Sequence, residues 1–429
     1  MSLANRILLA LLLGAGFGFG TAAWWPVYQE TLLAVTVPVG TLWLAALKMV
    51  ILPLIIALIV TGVGQAGERA KGSGMMPRLI GTFFILLLFS GFVGVTLAPA
   101  MLEIWPIDPA AASALRAVVA TPVEAMPVPG LGEFLVSLVP SNLFEAAANG
   151  AILQLIVFAL IFGFAVVQLP AAQRRLILDF FEAIGNALML VVKGIIWLGP
   201  LGVFALAFGL GTQATAALAG ALLYYVFLVS MVGATIGVSM YLVARFGGGV
   251  AFARFARAAL PVQVVAASTQ SSLACLPAML DSSRENLGVP VKVGGVVLPL
   301  AVTLFRMTSS GMNIAMAIFT AYLYGIDLSI SAVVAVVFVG AIMNFTAGSV
   351  PAQINFFVTI PPIFIVLGVP YEILAIYIAI ETIPDIFRTI GNVTADLAVS
   401  SVMARHGADE ADAAESPAAG PVAASTKKK

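Results

Sequence analysis

The chain has 429 residues, of which 61% are hydrophobic and 9% are charged, and its mean hydropathy is +1.10. Soluble domains are about 45–50% apolar and about 25% charged, so this composition excludes an ordinary soluble protein. The formal net charge is zero, which argues against a nucleic-acid partner. With one cysteine, Cys275, and one histidine, His406, the chain can build neither an internal disulfide nor a histidine-based metal site within a membrane.

Long uncharged apolar stretches recur along most of the chain. Examples are Ile7–Pro26, Val35–Leu47, Leu79–Leu102 and Ala216–Ala244. A helix needs about 20 apolar residues to cross roughly 30 Å of hydrocarbon, so the sequence predicts an all-α membrane protein with about eight transmembrane helices. Membrane lipid is therefore an expected partner.

Basic residues are unequally distributed among the loops between these stretches. They follow the second, fourth and sixth spans, as Arg69, Lys71 and Arg78, then Arg174 and Arg175, then Arg245, Arg254 and Arg257. The long loop 103–142 is acidic instead. By the positive-inside rule we expect both termini to be cytoplasmic, in an inner (plasma) membrane. The tail 405–429 is rich in Ala, Pro, Ser and charge, and this composition predicts disorder.

The segment between Arg257 and Asp281 does not fit a simple span. It is uncharged but too short for two crossings, and its centre, 268-STQSSLACLP-277, is polar where a span should be most apolar. A single crossing would also move Arg284 and the charged tail outside. We therefore predict a re-entrant hairpin that enters from the cytoplasm, with a kinked helix as the alternative.

A second interrupted segment, 328–371, carries no charge and has the centre 344-NFTAGSVPAQ-353. Two full spans remain an alternative, but they would need a cytoplasmic loop without Lys or Arg, which favours a hairpin from the outside. Paired interrupted segments are typical of inverted-repeat secondary transporters, whose substrate site lies near the midplane. Backbone amides at such hairpin tips suit an anionic ligand.

The last helix carries a polar stripe within 381-ETIPDIFRTIGNVTAD-396. At 100° per residue, an arc of about 100° holds Glu381, Asp385, Arg388, Thr389, Asn392 and Asp396. A structural ion pair between Asp385 and Arg388 is the alternative to a binding site, but it leaves Glu381 and Asp396 uncompensated. The stripe sums to −2, while Arg388 offers a fork for a carboxylate. A ligand with both an ammonium and a carboxylate group matches this pattern.

With these residues the chain resembles the dicarboxylate/amino acid:cation symporter family, the glutamate transporter homologues. The shared motifs are 52-LPL-54, 199-GPLGVFAL-206, the serine-containing first hairpin tip, 348-GSVP-351, and the pattern Asp-x-x-Arg-Thr-x-x-Asn-x-x-x-Asp from Asp385 to Asp396. The last motif is specific and complete. The resemblance implies a secondary active symporter that imports aspartate or glutamate with sodium ions, protons or both.

The resemblance also implies roles for individual residues. Asp385 would bind the substrate's amino group, Arg388 its side-chain carboxylate, and Thr389 and Asn392 its backbone groups. The main carboxylate would be held by backbone amides around three hairpin residues, Ser271, Ser272 and Val350. Ser309 stands where the family has a substrate-contacting threonine.

Two sodium sites are implied in the same way. One would combine Asp396 with the Asn392 carbonyl, and the other would combine Thr303 with carbonyls near Asn344 and Phe345. No other cofactor is expected.

The family architecture implies a homotrimer with an elevator mechanism. Its scaffold would comprise residues 1–66 (helices 1 and 2) and 142–217 (helices 4 and 5). Its transport domain would comprise residues 67–141 (helix 3 and the extracellular loop) and 218–404 (helices 6 to 8 with both hairpins). The tail 405–429 would lie outside both.

The seventh helix departs from the family pattern. Where the family usually has Asn-Met-Asp-Gly-Thr, this chain has Phe305-Arg306-Met307-Thr308-Ser309. Around Leu87 to Gly91 in helix 3, Ser90 is the only side chain suited to a cation. We hypothesise that Arg306 occupies a cation position and neutralises Glu381 or Asp396, so that transport uses fewer sodium ions, a proton or exchange. The alternative is that Arg306 snorkels to a surface.

Other functions stay open. Arg306 and Arg388 together could grip both carboxylates of a C4-dicarboxylate such as succinate, fumarate or malate, but Asp385 would repel that substrate unless protonated. A dedicated anion channel is less consistent with charges clustered on one helix. An enzyme is not expected, because the sequence shows no nucleophile–base pair or metal cluster.

Overall fold

The computed structural model describes residues 3–70, 75–118, 136, 138–212, 216–346 and 352–415. Within these ranges the backbone is helical apart from short connections and contains no β-strand. This architecture, with its several apolar helices, confirms the all-α membrane class that the composition predicted.

The first half of the chain forms α1 to α8. Their bounds are Leu3–Trp24 (α1), Pro26–Ala70 (α2), Met75–Ile104 (α3), Pro109–Val118 (α4), Leu143–Ala148 (α5), Ile152–Gln168 (α6), Ala171–Trp197 (α7) and Gly199–Thr212 (α8). α1 packs along α8, and α2 packs against α6, α7 and α8. α3 instead packs mainly against helices of the second half of the chain.

The second half forms α9 to α17. Their bounds are Ala216–Phe246 (α9), Phe252–Thr269 (α10), Leu276–Ser282 (α11), Val291–Leu304 (α12), Met307–Tyr324 (α13), Ile330–Thr346 (α14), Ala352–Val366 (α15), Leu374–Ile380 (α16) and Thr382–Glu415 (α17). A π-helical turn follows α11, and a 3-10 turn precedes α16. α13 is buried along almost its whole length and contacts α3, α9, α14, α15 and α17.

The eight predicted spans correspond to α1, α2, α3, α6, α7 with α8, α9, α12 with α13, and α17. By length and apolar composition alone, four of the described helical segments could cross a membrane: 26–65, 75–104, 217–246 and 291–324. α7 and α8 make a fifth if their pair, bent by 51°, is one span. The apolar parts of α1 and α6 are shorter than 18 residues. α17 carries the polar stripe, which lowers its hydropathy.

Two of the connections between helices lie in described segments that bear on the site, and a third lies outside them. Between α10 and α11, Gln270 adopts a left-handed conformation with φ 50°, so the chain turns at the first predicted hairpin tip. Between α12 and α13, Phe305 and Arg306 are not helical. α14 ends at Thr346 and α15 begins at Ala352, so the second predicted tip, including Val350, lies outside the described residues.

The break before α13 is held by α3. Ser90 Oγ donates to Met307 O (2.6 Å) and accepts from Gly311 N (2.9 Å), which are the two groups that a regular helical turn would pair with each other. Phe83 stacks on Phe305 with ring centroids 4.6 Å apart. A Cβ at Gly311 would lie 2.4 Å from Ser90 O, so this approach of the two backbones requires glycine.

Two details differ from the sequence prediction. α17 continues to Glu415, so the first eleven residues of the segment 405–429, predicted to be disordered, are helical; residues 416–429 lie outside the described ranges. Four alanines and two glutamates between residues 408 and 415 favour helix intrinsically. The acidic loop also contains a helix, α4, whose start is capped by Asp108 Oδ1 accepting from Ala110 N (2.8 Å).

Candidate functional site

The polar stripe of α17 faces the interior of the protein. Its most buried members are Glu381, Arg388, Thr389, Asn392 and Asp396, all less than 9% exposed. On the other side of the helix, Ile383 is 52% exposed and Phe387 is 37% exposed. Pro384 is tolerated because it lies in the first turn, where its missing N–H has no intrahelical partner to lose. The helix therefore presents its charges to the core.

Arg388 is the centre of a buried ion network. Its Nη2 binds Glu381 Oε1, its Nη1 donates to Asn313 Oδ1 (2.8 Å), and its Nε lies 3.4 Å from Asp385 Oδ1. The three acceptors come from the start of α17, from α13 and from the next turn of α17. Nη1 and Nη2 are therefore hydrogen-bonded within the protein, whereas Nε is within ion-pair distance of Asp385 but has no hydrogen-bond partner among the described residues.

Glu381 is held from a second side by α9. The Tyr225 hydroxyl donates to Glu381 Oε2 (3.0 Å), and the ring of Tyr225 stacks on Tyr377 with centroids 4.0 Å apart. The Tyr377 hydroxyl in turn pairs with that of Thr320 (3.1 Å). Both glutamate oxygens are thus hydrogen-bonded, which offsets the cost of burying this carboxylate.

Asp396 has a different environment. It is 0% exposed, and neither carboxylate oxygen has a hydrogen-bond partner among the residues that the structure describes. Arg306 interacts electrostatically with Asp396 and with Asp385, and it is repelled by Arg388. The structure therefore brings Arg306 near Asp396 and Asp385, whereas Glu381 pairs with Arg388.

The Asn392 side chain caps the start of α13. Its Oδ1 accepts from Thr308 N (2.9 Å), so the side chain supplies a partner for one of the unpaired amides at this helix start. A Cβ at Gly391 would lie 2.3 Å from Thr308 Oγ1, which shows how closely α17 approaches the break. Three neighbouring hydroxyls have no hydrogen-bond partner within the described part of the chain: Thr308, Ser309 and Ser310.

Two residues predicted to contact ligands make local hydrogen bonds. Thr389 Oγ1 donates to Asp385 O (2.9 Å) in its own helix. Thr303 Oγ1 donates to Pro299 O (2.9 Å) and also lies 3.0 Å from Leu300 O. Ser90, expected to be the helix 3 residue suited to a cation, bonds the backbone of α13 instead. In this conformation these hydroxyls are engaged within the protein.

The second predicted sodium site retains oxygen donors at the end of α14. Asn344 is 1% exposed; its Nδ2 donates to Gly340 O (2.8 Å), while its Oδ1 has no hydrogen-bond partner among the described residues. Phe345 is 8% exposed beside it. Uncharged oxygens and carboxylates are the ligands that hard cations prefer. The unpartnered Asn344 Oδ1 is an oxygen of the kind that suits a sodium ion, whereas the positive charge of Arg306, which acts on Asp396, disfavours one there.

The first hairpin tip is linked to the start of α17. Gln270 Nε2 donates to Thr382 O (3.2 Å), directly after Glu381. Ser271 Oγ accepts from Ala274 N (3.3 Å), and Cys275 N closes the turn on Ser271 O and Ser272 O. The tip is therefore a short ordered turn next to the polar stripe.

Sequence reasoning missed the neutral residues that complete the ion network. Tyr225 contacts Glu381, Asn313 contacts Arg388, and Thr359 Oγ1 accepts from Asn313 Nδ2 (3.3 Å). A signal existed for Asn313, because an amide within the otherwise apolar centre of a membrane helix needs a polar partner. Tyr225 and Thr359 carry no such signal, since both are common in apolar helices.

Comparison with known proteins identifies the family of the chain. Residues 3–406 match the family model of the sodium:dicarboxylate symporter family. The chain is 27% identical to the proton/sodium-glutamate symport protein of Bacillus subtilis (94% of this chain, 92% of the relative). It is 26% identical to the proton/glutamate-aspartate symporter of Escherichia coli (94% and 92%). It is also 26% identical to the C4-dicarboxylate transport protein 2 of Ralstonia nicotianae (94% and 88%).

The matched residues include every helix of the described structure, from α1 into the part of α17 beyond the polar stripe. A match of this length confirms the resemblance that the motifs of the last helix indicated, and it makes the protein a transporter rather than an enzyme. The chain belongs to the sodium:dicarboxylate symporter family.

Proposed function

We propose that this protein is a secondary active symporter that imports aspartate or glutamate together with cations. The observation that carries the proposal is the pairing of Asp385 and Arg388, 3.4 Å apart, at one buried face. A carboxylate and a guanidinium side by side suit a ligand that has an ammonium at one end and a carboxylate at the other.

The charges of the site favour cation coupling. Glu381, Asp385 and Asp396 contribute −3 and Arg306 and Arg388 contribute +2, which gives −1 for the described site. An acidic amino acid carries a net charge of −1, so binding it alone would leave −2 inside the membrane. Uncompensated charge there is costly, so protons or metal cations should enter with the substrate.

The same charge count distinguishes the two candidate substrate classes, acidic amino acids and C4-dicarboxylates. A C4-dicarboxylate carries −2 and would raise the buried charge to −3, and its second carboxylate would face Asp385. One feature favours it nevertheless, because Arg306 supplies a second guanidinium near Asp385. The relatives include a glutamate-aspartate symporter and a C4-dicarboxylate transport protein. We prefer the amino acid on the charge count and keep the dicarboxylate as the second candidate.

The remaining residues take the roles that the resemblance implies. Backbone amides near Ser271, Ser272 and Val350 would hold the main carboxylate, and the substrate's backbone groups would meet Thr389, Asn392 and Ser309. A sodium ion, where one binds, would use Asn344, Phe345 and Thr303. Arg306 would replace a second sodium ion beside Asp396.

We also propose the family's assembly for this chain: a homotrimer in the inner membrane with cytoplasmic termini. Residues 1–66 and 142–217 would form the scaffold, and residues 67–141 and 218–404 the moving domain of an elevator. α3 packs mainly on α13 and α14 and much less on α2, which is consistent with this division. A dedicated anion channel remains the less favoured alternative.

Uptake into proteoliposomes tests the proposed symport. Labelled aspartate should accumulate when a proton or sodium gradient is imposed and should not when all gradients are dissipated. A panel of glutamate, succinate, fumarate and malate then ranks the competitors. Stronger competition by succinate than by glutamate would overturn the amino acid assignment, and a substrate-gated current far exceeding solute flux would favour the channel.

The substrate class can be tested separately through Asp385. Asp385→Ser should abolish aspartate uptake and leave or improve succinate uptake, because the group that binds the amine is lost together with the negative charge that repels a dicarboxylate. Asp179→Ser is the matched control, since Asp179 is exposed and contacts Arg175 at the surface. Equal loss for both substrates would argue against an amine-binding role.

A further inference from the structure

A substrate carboxylate that binds Arg388 through two nitrogens would have to compete with side chains that already contact this guanidinium. Its Nη2, Nη1 and Nε face Glu381, Asn313 and Asp385 respectively. A bidentate carboxylate uses two neighbouring N–H groups of the fork. Glu381 offers the same chemical group as the substrate, so it is the direct competitor for Arg388.

Displacement would leave the Glu381 carboxylate in a poor environment for a charge. Glu381 is 8% exposed, and among the described residues the polar groups that act on it besides Arg388 are the Tyr225 hydroxyl at 3.0 Å and the like charge of Asp385. The Tyr377 hydroxyl is directed to Thr320, although the two tyrosine rings stack. A buried carboxylate that has lost its counter-charge is strongly destabilised, and binding a proton removes that charge.

Tyr225 can serve both protonation states of Glu381. A phenol is both donor and acceptor. Its hydroxyl donates to the carboxylate oxygen in the structure. Once Glu381 is protonated, the carboxyl O–H can donate to the phenol oxygen instead. The site therefore holds a partner for the neutral acid as well as for the anion.

We propose that Glu381 is an internal substitute for the substrate carboxylate on Arg388, and that its displacement takes up the proton that travels with the substrate. The inference rests on the proposed symport function. In the step, the Glu381–Arg388 ion pair breaks, the substrate carboxylate pairs with Arg388, and one proton from water forms an O–H bond on Glu381. Release of the substrate on the other side reverses each change.

Linkage gives the size of the expected effect. If one proton binds with each substrate molecule, the affinity for aspartate falls about tenfold for each pH unit over the range in which Glu381 is ionised before binding. Without a titrating group at residue 381, this contribution disappears. The affinity of a Glu381→Gln variant should therefore depend weakly on pH and exceed that of the wild type at alkaline pH, because the competitor's charge is gone.

Calorimetry on the purified full-length protein measures this linkage with aspartate as the probe. Titrations between pH 5.5 and 8.5, in buffers of different ionisation enthalpy, give both the affinity and the number of protons bound. We expect about one proton per aspartate for the wild type and for Glu381→Asp, and a lower number for Glu381→Gln. A Glu381→Gln variant with the wild-type proton number would overturn the proposal. So would a wild type that binds aspartate without proton uptake, a result that does not depend on the variant folding.

Transport provides the second readout. In proteoliposomes with an internal pH dye, Glu381→Gln should exchange internal for external aspartate but lose the proton movement that accompanies net uptake. Asp179→Asn, at the exposed pair with Arg175, is the control and should match the wild type. If the wild type neither binds nor transports an acidic solute, the proposed function itself fails. If aspartate uptake is intact and its proton movement survives Glu381→Gln, the role of Glu381 alone is refuted.

Discussion

Glu381, directly before α17, and Asp396, on α17, are both buried carboxylates, but the protein compensates their charges differently. Glu381 has direct bonds from Arg388 and Tyr225 to its two oxygens. Asp396 has no hydrogen-bond partner among the described residues, and Arg306 acts on it through charge. The first carboxylate has directional contacts that a competing carboxylate can replace. The oxygens of the second carboxylate have no hydrogen-bond partner among the described residues, so a positive charge can compensate them without a fixed hydrogen-bond geometry.

The difference indicates that the two ends of the polar stripe have different functions. At the Glu381 end, Glu381 and Arg388 form an ion pair in which the substrate carboxylate can take the place of Glu381. At the Asp396 end, fifteen residues later, the chain supplies its own cation where the family pattern implies sodium. Three substitutions test this difference between the two carboxylates.

Arg388→Ala should have the largest effect. It removes the substrate fork and leaves Glu381 without a counter-charge, and breaking a buried ion pair in this way costs about 3–5 kcal/mol. We expect undetectable aspartate uptake and a clearly lower melting temperature in detergent. Adding Glu381→Gln should recover much of the stability without recovering uptake. Arg175→Ala, at an exposed pair that contributes about 0–1 kcal/mol, is the control. Wild-type uptake by Arg388→Ala would exclude Arg388 from the substrate site.

Arg306→Gln should have an intermediate effect that depends on the ions present. A pair of opposite unit charges about 4–8 Å apart is worth on the order of 2–4 kcal/mol at an effective dielectric constant of 20, so uptake without sodium should fall at least about tenfold. Added sodium should restore part of it, because Asp396 can then bind the ion. Uptake is measured over a sodium series at fixed membrane potential.

The control for Arg306 is Arg257→Gln, since the exposed Arg257 side chain bonds the backbone of its own helix through Ala253 O (3.2 Å). A wild type whose uptake rises cooperatively with sodium and ignores pH would show that Arg306 does not replace an ion.

Tyr225→Phe should have the smallest effect. It keeps the ring that stacks on Tyr377 and removes the hydroxyl bonded to Glu381. Hydrogen bonds to charged groups contribute about 1.5–3 kcal/mol, so we expect a modest drop in thermal stability and a reduction in aspartate uptake of a few fold. Tyr28→Phe, at a tyrosine 61% exposed, controls for loss of a hydroxyl. No change in either measurement would mean that Arg388 alone stabilises Glu381.

The fold and the position of the site follow from local sequence patterns. Apolar stretch lengths predict the helices, and the helical period of the stripe predicts the shared face of Glu381 and Asp396. The partners across that face are harder to predict. The ion pair between Arg388 and Glu381 joins α17 to the residue directly before it. The bonds to Tyr225 and Asn313 instead depend on how α9 and α13 pack, which no short-range pattern encodes. For the same reason the hypothesis left open whether Arg306 neutralises Glu381 or Asp396.

The break between α12 and α13 has a mechanical consequence. Ser90 of α3 and Asn392 of α17 bond three backbone groups at the start of α13, namely Met307 O, Thr308 N and Gly311 N. A hinge needs backbone groups that can change partners cheaply, and here each change would break a buried bond. The break is therefore a rigid connection rather than a hinge. Any large displacement of Asp385 and Arg388 should move α3, α13 and α17 together as one rigid body.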